Sequence, residues 1–328
     1  MEAPTQKAPG KHYREGISLF ELERLFPDNE AAERWFEDAR WNGEPCCPRC
    51  GGLDRVKRVK SKKPMPWHCG DCRRYFSVRT GTVIEASKIP FRKWAYAIFL
   101  WTTSLKGVSS MKLHRDLNIS QKAAWFMAHR LREAYTSGGG LFSGPVEVDE
   151  TYTGGKRKNM PKSKREKLTG RGAAGKMAVA GVKDRKTKKV SAAVVQRTDR
   201  ETLHGFIRDR VEPGATVYTD DATAYRELSD YTHDAVKHSL GEYVKDIDVH
   251  TNGIESLWSM FKRGFVGTYH RMSPKHLHRY VAEFVARQNV REEDTLDQML
   301  DMVRGMIGRR LMYTSLIEPN GLPSGARR

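Results

Sequence analysis

The sequence predicts a multidomain chain: N-terminal helices with a cysteine-rich metal module, a second helical block, and a C-terminal α/β domain with a mixed sheet. Three observations lead there. All five cysteines fall between Cys46 and Cys72. Apolar residues recur at helical spacing over residues 17–41 and again over 88–135. Past Gly138-Gly139-Gly140 the period changes to the alternation of strands, interleaved with helices.

The bulk numbers are compatible with that division. The chain has 328 residues, 38% hydrophobic and 30% charged, enough for two or three domains with real cores. Lys plus Arg outnumber Asp plus Glu by 58 to 40, a net charge of +18, which favours a polyanionic partner. The longest apolar run, Trp94 to Trp101, falls far short of the ~18 residues of a membrane span. The first sixteen residues are polar, without an apolar signal core, and read as a disordered tail. The expectation is a cytoplasmic protein with no membrane partner.

Residues 17–80 form the first module. Asp28 or Asn29 can cap a helix in which Ala32, Trp35 and Phe36 share a face. The pairs Cys47-x2-Cys50 and Cys69-x2-Cys72, eighteen residues apart, can bring four thiolates to one tetrahedral zinc ion. All four positions are then filled by protein, so the zinc is structural, and in so short a segment it replaces the missing core. Cys46 is a bystander, or shares its register with Cys47. Arg55, Lys57, Arg58, Lys60, Lys62 and Lys63 between the knuckles suit DNA backbone contact.

Residues 81–137 read as a helix-turn-helix-like DNA-binding block. Met111, Leu113 and Leu117 can face a core, Asn118-Ile119 makes the break, and Ser120 caps the next helix. Gln121, Lys122, His129 and Arg130 are expected among its exposed positions, with Gln121, Lys122 and Arg130 as DNA contacts.

Residues 141–290 carry strands at 146–152, 176–183, 188–196, 215–220 and 233–239. Helices are expected at 199–211, 222–230, 250–263 and 273–289. A basic insertion occupies 156–175. From 156 to 189 there are fourteen Lys or Arg against two acids, two thirds of the net charge. Lys156, Arg157, Lys158, Lys164 and Arg165 are the candidate phosphate contacts in what reads as a mobile loop. Residues 291–328 are expected as a C-terminal helical tail.

In VEVDETY, Val146 and Val148 alternate with Glu147 and Asp149, so Asp149 points away from the valines. A buried acid there needs a partner or a metal. Asp220 and Asp221 stand at the end of the strand ATVYTD, where α/β folds place their chemistry, and the strand-ending Thr219-Asp220 pair favours Asp220. Asn252, Glu255, Ser259 and Lys262 fall on one face of a helix whose other side carries Ile254, Leu257, Trp258 and Phe261. Asp149, Asp220 and Glu255 can converge on Mg²⁺ or Mn²⁺, hard cations that suit carboxylate oxygens and phosphoryl transfer.

The segments CPRCGG (47–52), WHCGDCRRYFSVRTGTVIEASKIPFRKW (67–94), VEVDETYTGGK (146–156), VYTDDATAY (217–225) and residues 250–289 resemble bacterial insertion-sequence transposases. The members in question have an N-terminal zinc ribbon and a DDE domain, and are relatives of the Merlin transposons. The resemblance spans residues 17 to 290. It implies an RNase H-like catalytic domain that binds terminal inverted repeats and target DNA. It also implies metal-dependent cleavage and strand transfer, and at least a homodimer on DNA in a bacterial, nucleoid-associated setting. Asp149 matches the first catalytic Asp and Asp220 the second. The third position is Glu255, 35 residues past Asp220, or Asn252, which is otherwise a nearby ligand or hydrogen-bond partner. Lys262 matches the following, phosphate-holding lysine. Two other readings stay compatible with these residues: a DNA-binding regulator derived from a transposase, and an RNase H-like metal nuclease.

Overall fold

Ser18 starts the first helix by a reciprocal cap. Its hydroxyl accepts from the Glu21 amide while the Glu21 carboxylate accepts from the Ser18 amide, opening α1 (Leu19–Leu25). The Asp28 carboxylate then accepts from the Ala31 amide at 2.7 Å and opens α2 (Asn29–Trp41), so residues 17–41 hold two helices. The structure is a computed structural model that describes residues 14–135, 140–155, 157–169, 173–236 and 250–324. The chain divides into two units, Met1–Ser137 with Val290–Pro319, and Gly138–Asn289 with Asn320–Arg328.

In the first unit, α2 leads into a three-stranded antiparallel sheet, β1 (Val56–Arg58), β2 (Trp67–Cys69) and β3 (Tyr75–Phe76). Trp67 stacks on Phe76, and Trp41 meets both edge-on with centroids 5.8 and 5.9 Å away. The small sheet is thereby fastened to α2 by aromatic contact. α3 (Phe91–Thr103) buries Trp94, Ala97, Ile98 and Trp101, the spacing of one helical face. α4 (Ser110–Leu117) and α5 (Gln121–Ala134) follow, each capped by the serine before it. Asn118 takes the left-handed conformation (φ 46°) in the short turn between them. Leu113 and Leu117 are buried as expected, but Met111 is 47% exposed. Two residues before Leu113, it lies ~200° around the helix from that apolar stripe.

The second unit is built on a five-stranded sheet: β4 (Val146–Thr153), β5 (Met177–Asp184), β6 (Val190–Val195), β7 (Thr216–Asp220) and β8 (Thr232–Val236). Its order is β6-β5-β4-β7-β8. β4 pairs antiparallel with β5 and β5 with β6, whereas β4–β7 and β7–β8 are parallel, which makes the sheet mixed. Each face is covered. Val146, Val148, Ala180, Val182 and Val217 pack with Leu203, Phe206 and Ile207 of α7 (Arg200–Arg208), which Asp199 caps. On the other face Val179 and Val190 pack with α8 (Asn252–Gly264) and α9 (Leu277–Asn289). Gly181 permits the close approach of α8, because a Cβ there would lie 2.6 Å from the Trp258 ring.

Two expectations change in this unit. Residues 222–230 form only a 3-10 turn over Thr223–Tyr225, because Tyr225 turns fully into the core and Glu227 takes a left-handed φ of 63°. The basic insertion is not irregular throughout. It holds a 3-10 turn at Arg157–Asn159 and a short helix, α6 (Lys162–Arg165). Lys156 and residues 237–239 of the predicted last strand lie outside the described residues.

The remaining helices, α10 (Thr295–Gly305) and α11 (Tyr313–Ile317), belong to the first unit. Met299, Met302, Val303 and Met306 join its core, and a Cβ at Gly305 would lie 2.5 Å from the Ala134 carbonyl oxygen. The segment expected as a tail is thus part of that unit's packing down to residue 319.

Candidate active site

Asp149 and Asp220 stand on neighbouring parallel strands. The register pairs Glu147 of β4 with Tyr218 of β7, and each aspartate lies two residues further along its strand. That places Asp149, midway along β4, beside Asp220, the last residue of β7. Asp149 lies opposite Gly181 of β5, on the face covered by α8. Both acids are half-buried, whereas Asp221 is exposed. The Asp220 carboxylate accepts from the Ala222 amide at 3.2 Å.

α8 brings the third acid. Ile254, Leu257, Trp258 and Phe261 are buried, and Asn252, Glu255, Ser259 and Lys262 are exposed, so the predicted two-sided helix is what forms. The Thr251 hydroxyl donates to the Glu255 carboxylate at 3.3 Å. Glu255 is near enough that its charge acts on Asp149. Burial first, then the charges of Glu150 and Asp220, and that of Glu255, push the Asp149 carboxyl up to about 7. Glu150 is raised as well, by burial and by Asp220, against the pull of a 2.6 Å hydrogen bond from the Tyr225 hydroxyl.

The charges of Glu150, Asp220 and Glu255 thus oppose the ionisation of Asp149, and the carboxylate oxygens of Asp149, Asp220 and Glu255 are the hard donors that a divalent cation takes. They do not crowd as tightly as four ligands of one ion. Among the described residues, the cysteines alone form a group of three or more potential ligands within 4.8 Å of one another.

In that group the Cys47 and Cys72 sulfurs are 3.6 Å apart, as are those of Cys50 and Cys69. Four sulfurs ~2.3 Å from a tetrahedral zinc stand ~3.8 Å from one another, so the cluster fits the ion. The knuckles repeat each other. The Cys47 amide bonds the Gly52 carbonyl and the Cys69 amide the Arg74 carbonyl, and the residues after the second cysteines, Gly51 and Arg73, both have positive φ (76° and 56°). Cys46 stands outside the group. The basic residues from Arg55 to Lys63 are exposed; Lys62 pairs with Glu30 at 2.9 Å and Arg58 with Glu37 at 3.5 Å.

On α5, Gln121 and Lys122 are exposed, as expected of contacts to an outside partner. Arg130 and His129 are not: they are 8% and 0% exposed. The Arg130 guanidinium donates to the Glu85 carbonyl at 3.1 Å and lies over the Phe126 ring, so it is committed to packing. In the basic insertion Arg157, Lys158 and Arg165 are exposed.

Sequence reasoning passed over Glu147 and Glu150. Three acids at 147, 149 and 150 in one eight-residue central strand were the available signal, since buried strands rarely carry even one.

Two family models match separate parts of the chain. The model of the ISXO2-like transposase domain matches residues 141–289, and that of the transposase zinc-ribbon domain matches residues 27–75. The chain is 28% identical over 277 residues to "Uncharacterized protein in transposable element ISH50" of Halobacterium salinarum, covering 81% of this chain and 93% of that protein. It is 27% identical over 122 residues to "Uncharacterized transposase-like protein" of Haemophilus influenzae, covering 36% of this chain and 97% of the other. These matches, the zinc-ribbon one falling on the paired cysteine knuckles, show that the chain belongs to the insertion-sequence DDE transposases that carry an N-terminal zinc ribbon.

Proposed function

We propose that this transposase binds the terminal inverted repeats of its element and catalyses metal-dependent strand cleavage and strand transfer. The observation that carries the reading is the joint placement of Asp149, midway along β4, and Asp220, at the end of the adjacent parallel strand β7, with the Glu255 charge acting on Asp149. The strand order, with the first acid on the central strand and helices on both faces, supports an RNase H-like catalytic domain.

Asp149, Asp220 and Glu255 would hold Mg²⁺ or Mn²⁺, with Asn252, one turn earlier on the same face of α8, as a ligand or hydrogen-bond partner. Bound there, a pair of divalent ions supplies activation of the attacking hydroxyl and stabilisation of the leaving oxygen. Lys262 lies two turns past Glu255 on the exposed face and binds a phosphate of the DNA end. Arg157, Lys158 and Arg165 on the insertion, together with Lys156 and Lys164, neutralise backbone charge.

Cys47, Cys50, Cys69 and Cys72 hold a structural zinc that presents the exposed lysines and arginines of the ribbon to DNA. α4 and α5 act as a helix-turn-helix whose readout comes from Gln121 and Lys122, at the start of the second helix. Double-stranded DNA, both terminal repeats and target, is the partner, and holding two ends calls for a homodimer or larger assembly in the bacterial cytoplasm, on the nucleoid. Among the described residues no helix is long and apolar enough to cross a membrane.

The test is a strand-transfer assay on linear DNA ends bearing the element's repeats, with Mg²⁺ or Mn²⁺. Asp149→Ala, Asp220→Ala and Glu255→Ala should each abolish joining while leaving end binding in place. Joining that survives all three substitutions would end the catalytic reading. An active Glu255→Ala beside an inactive Asn252→Ala would move the third ligand to Asn252.

A further inference from the structure

The helix that carries Glu255 begins without a cap of its own. Thr251 stands at the N-cap position of α8 and makes no side-chain bond to the helix backbone, so the first-turn amides need acceptors from elsewhere. β4 provides one. Glu147, 2% exposed, reaches across from the sheet, and its Oε2 accepts from the Ile254 amide at 2.9 Å.

The rest of the contact is built around that carboxylate. Glu147 Oε1 accepts from Arg185 Nε at 2.9 Å and lies 3.4 Å from His250 Nδ1. The Arg185 guanidinium also donates to the His250 carbonyl and sits over the Tyr218 ring, 4.2 Å from its centroid. Lys183, opposite Glu147 on β5, donates from Nζ to the Gly253 carbonyl at 3.1 Å. Gly253 leaves the room: a Cβ there would lie 2.6 Å from Glu147 Oε2 and 2.8 Å from Lys183 Nζ.

A carboxylate this deeply buried is costly unless its bonds are made, and here they are made to the entrance of one helix. The register then matters. Asp149 lies two residues beyond Glu147 on the same face of β4, and Glu255 directly follows Ile254. One carboxylate–amide contact therefore sets the offset between the first acid and the third.

We propose that Glu147 is a positioning residue: by capping α8 from β4 it holds Glu255 in place relative to Asp149, and Gly253 is the clearance that this contact requires. The inference rests on reading Asp149, Asp220 and Glu255 as the metal-holding set. Glu147 itself touches neither substrate nor ion.

The test is a Mn²⁺ titration of the full, zinc-loaded chain without DNA, paired with amide hydrogen exchange in the absence of Mn²⁺. Glu147→Ala and Gly253→Ala should each weaken Mn²⁺ binding by about tenfold or more, the usual loss when an outer partner of a ligand is removed. Exchange at Ile254 and Glu255 should speed up in both. Glu147→Gln, which keeps an oxygen facing Ile254, should lose less than Glu147→Ala. Once Glu255→Ala is present, adding Glu147→Ala should cost no further affinity, because the two act through one ligand. A folded Glu147→Ala with wild-type Mn²⁺ affinity, or losses that multiply in the double variant, overturns the positioning role. If Glu147→Ala does not fold, Gly253→Ala decides in the same way, since it moves the contact without removing a charge. Wild-type Mn²⁺ affinity in Asp149→Ala and Asp220→Ala would instead overturn the metal-site reading, a different result from the first.

Discussion

The Tyr225 hydroxyl donates a 2.6 Å hydrogen bond to the Glu150 carboxylate, joining a fully buried side chain of the β7–β8 connection to the residue next to Asp149. Burial foremost, and then the Glu150 charge, raise the Tyr225 phenol well above its ordinary range, so it remains a donor at any working pH. Tyr225→Phe removes that donor and leaves Glu150 short of a partner in a half-buried place. The expected cost is about 1–3 kcal/mol of stability in the second unit, read from urea unfolding at neutral pH. A smaller cost at pH 5 than at pH 8 should follow, because Glu150, already raised, is more easily left protonated. Equal unfolding midpoints for Tyr225→Phe and wild type would show that the bond contributes nothing net.

Asp149 gives the pH dependence a definite sign. Its folded value of about 7 lies above the ordinary 3.8, so between those values the folded chain keeps a proton that the unfolded chain has released. Stability from this group is therefore lost as pH rises through that window and is level above it. Asp149→Asn cannot titrate. Wild type should lose stability relative to Asp149→Asn between pH 5 and pH 8, measured by urea midpoints without divalent ions. Adding millimolar Mg²⁺ at pH 8 should restore wild type and leave the variant unchanged, since an ion that binds only the folded state stabilises it by mass action. Parallel pH profiles for the two proteins would refute the shift.

Metal removal should act within the first unit. Cys47 and Cys69 are 1% and 0% exposed and share a core cluster with Trp41 and Phe76, so the cysteine cluster is packed against α2. Chelation should disorder β1–β3 and change the fluorescence of Trp41 and Trp67. The unfolding transition of the second unit, whose core clusters contain no cysteine, should persist. Simultaneous loss of both transitions on chelation would contradict a division into two units.

Much of the candidate site could be read along the chain because its signals are local. Each Cys-x2-Cys knuckle, the acid in an alternating strand, the acid at a strand end and the two-sided helix declares itself within a short stretch of neighbouring residues. What could not be read is what arrives from far away. Glu147 and Ile254 are 107 residues apart, and nothing near Glu147 announces a helix needing an acceptor. The burial of Arg130 has the same origin. Helical spacing puts it at a polar position of α5, but the Glu85 carbonyl, 45 residues earlier, takes up its guanidinium. The C-terminal helices looked like a tail because their apolar face is complementary to a core built some 160 residues before them.

That burial separates two classes of residue on α5. Lys122 is exposed, with its Nζ 4.5 Å from the centre of the Tyr313 ring, and Gln121 beside it bonds the Ser110 hydroxyl at 3.3 Å. Both stand at the start of a helix, where unpaired amides and the dipole favour phosphate and where a recognition helix places its readout. Lys122→Ala should weaken end binding and lower the slope of log K against log salt by about one, the signature of one lost phosphate contact. Gln121→Ala should reduce discrimination between the element's ends and unrelated DNA while leaving the salt slope alone. Arg130→Ala should leave the salt slope unchanged too, but for another reason. Its guanidinium lies under the surface, held down from its ordinary range by burial and by Arg79, and its loss should appear as a lower unfolding midpoint of the first unit. A salt slope that falls in Arg130→Ala and stays fixed in Lys122→Ala would reverse this assignment and place the DNA on a different face of α5.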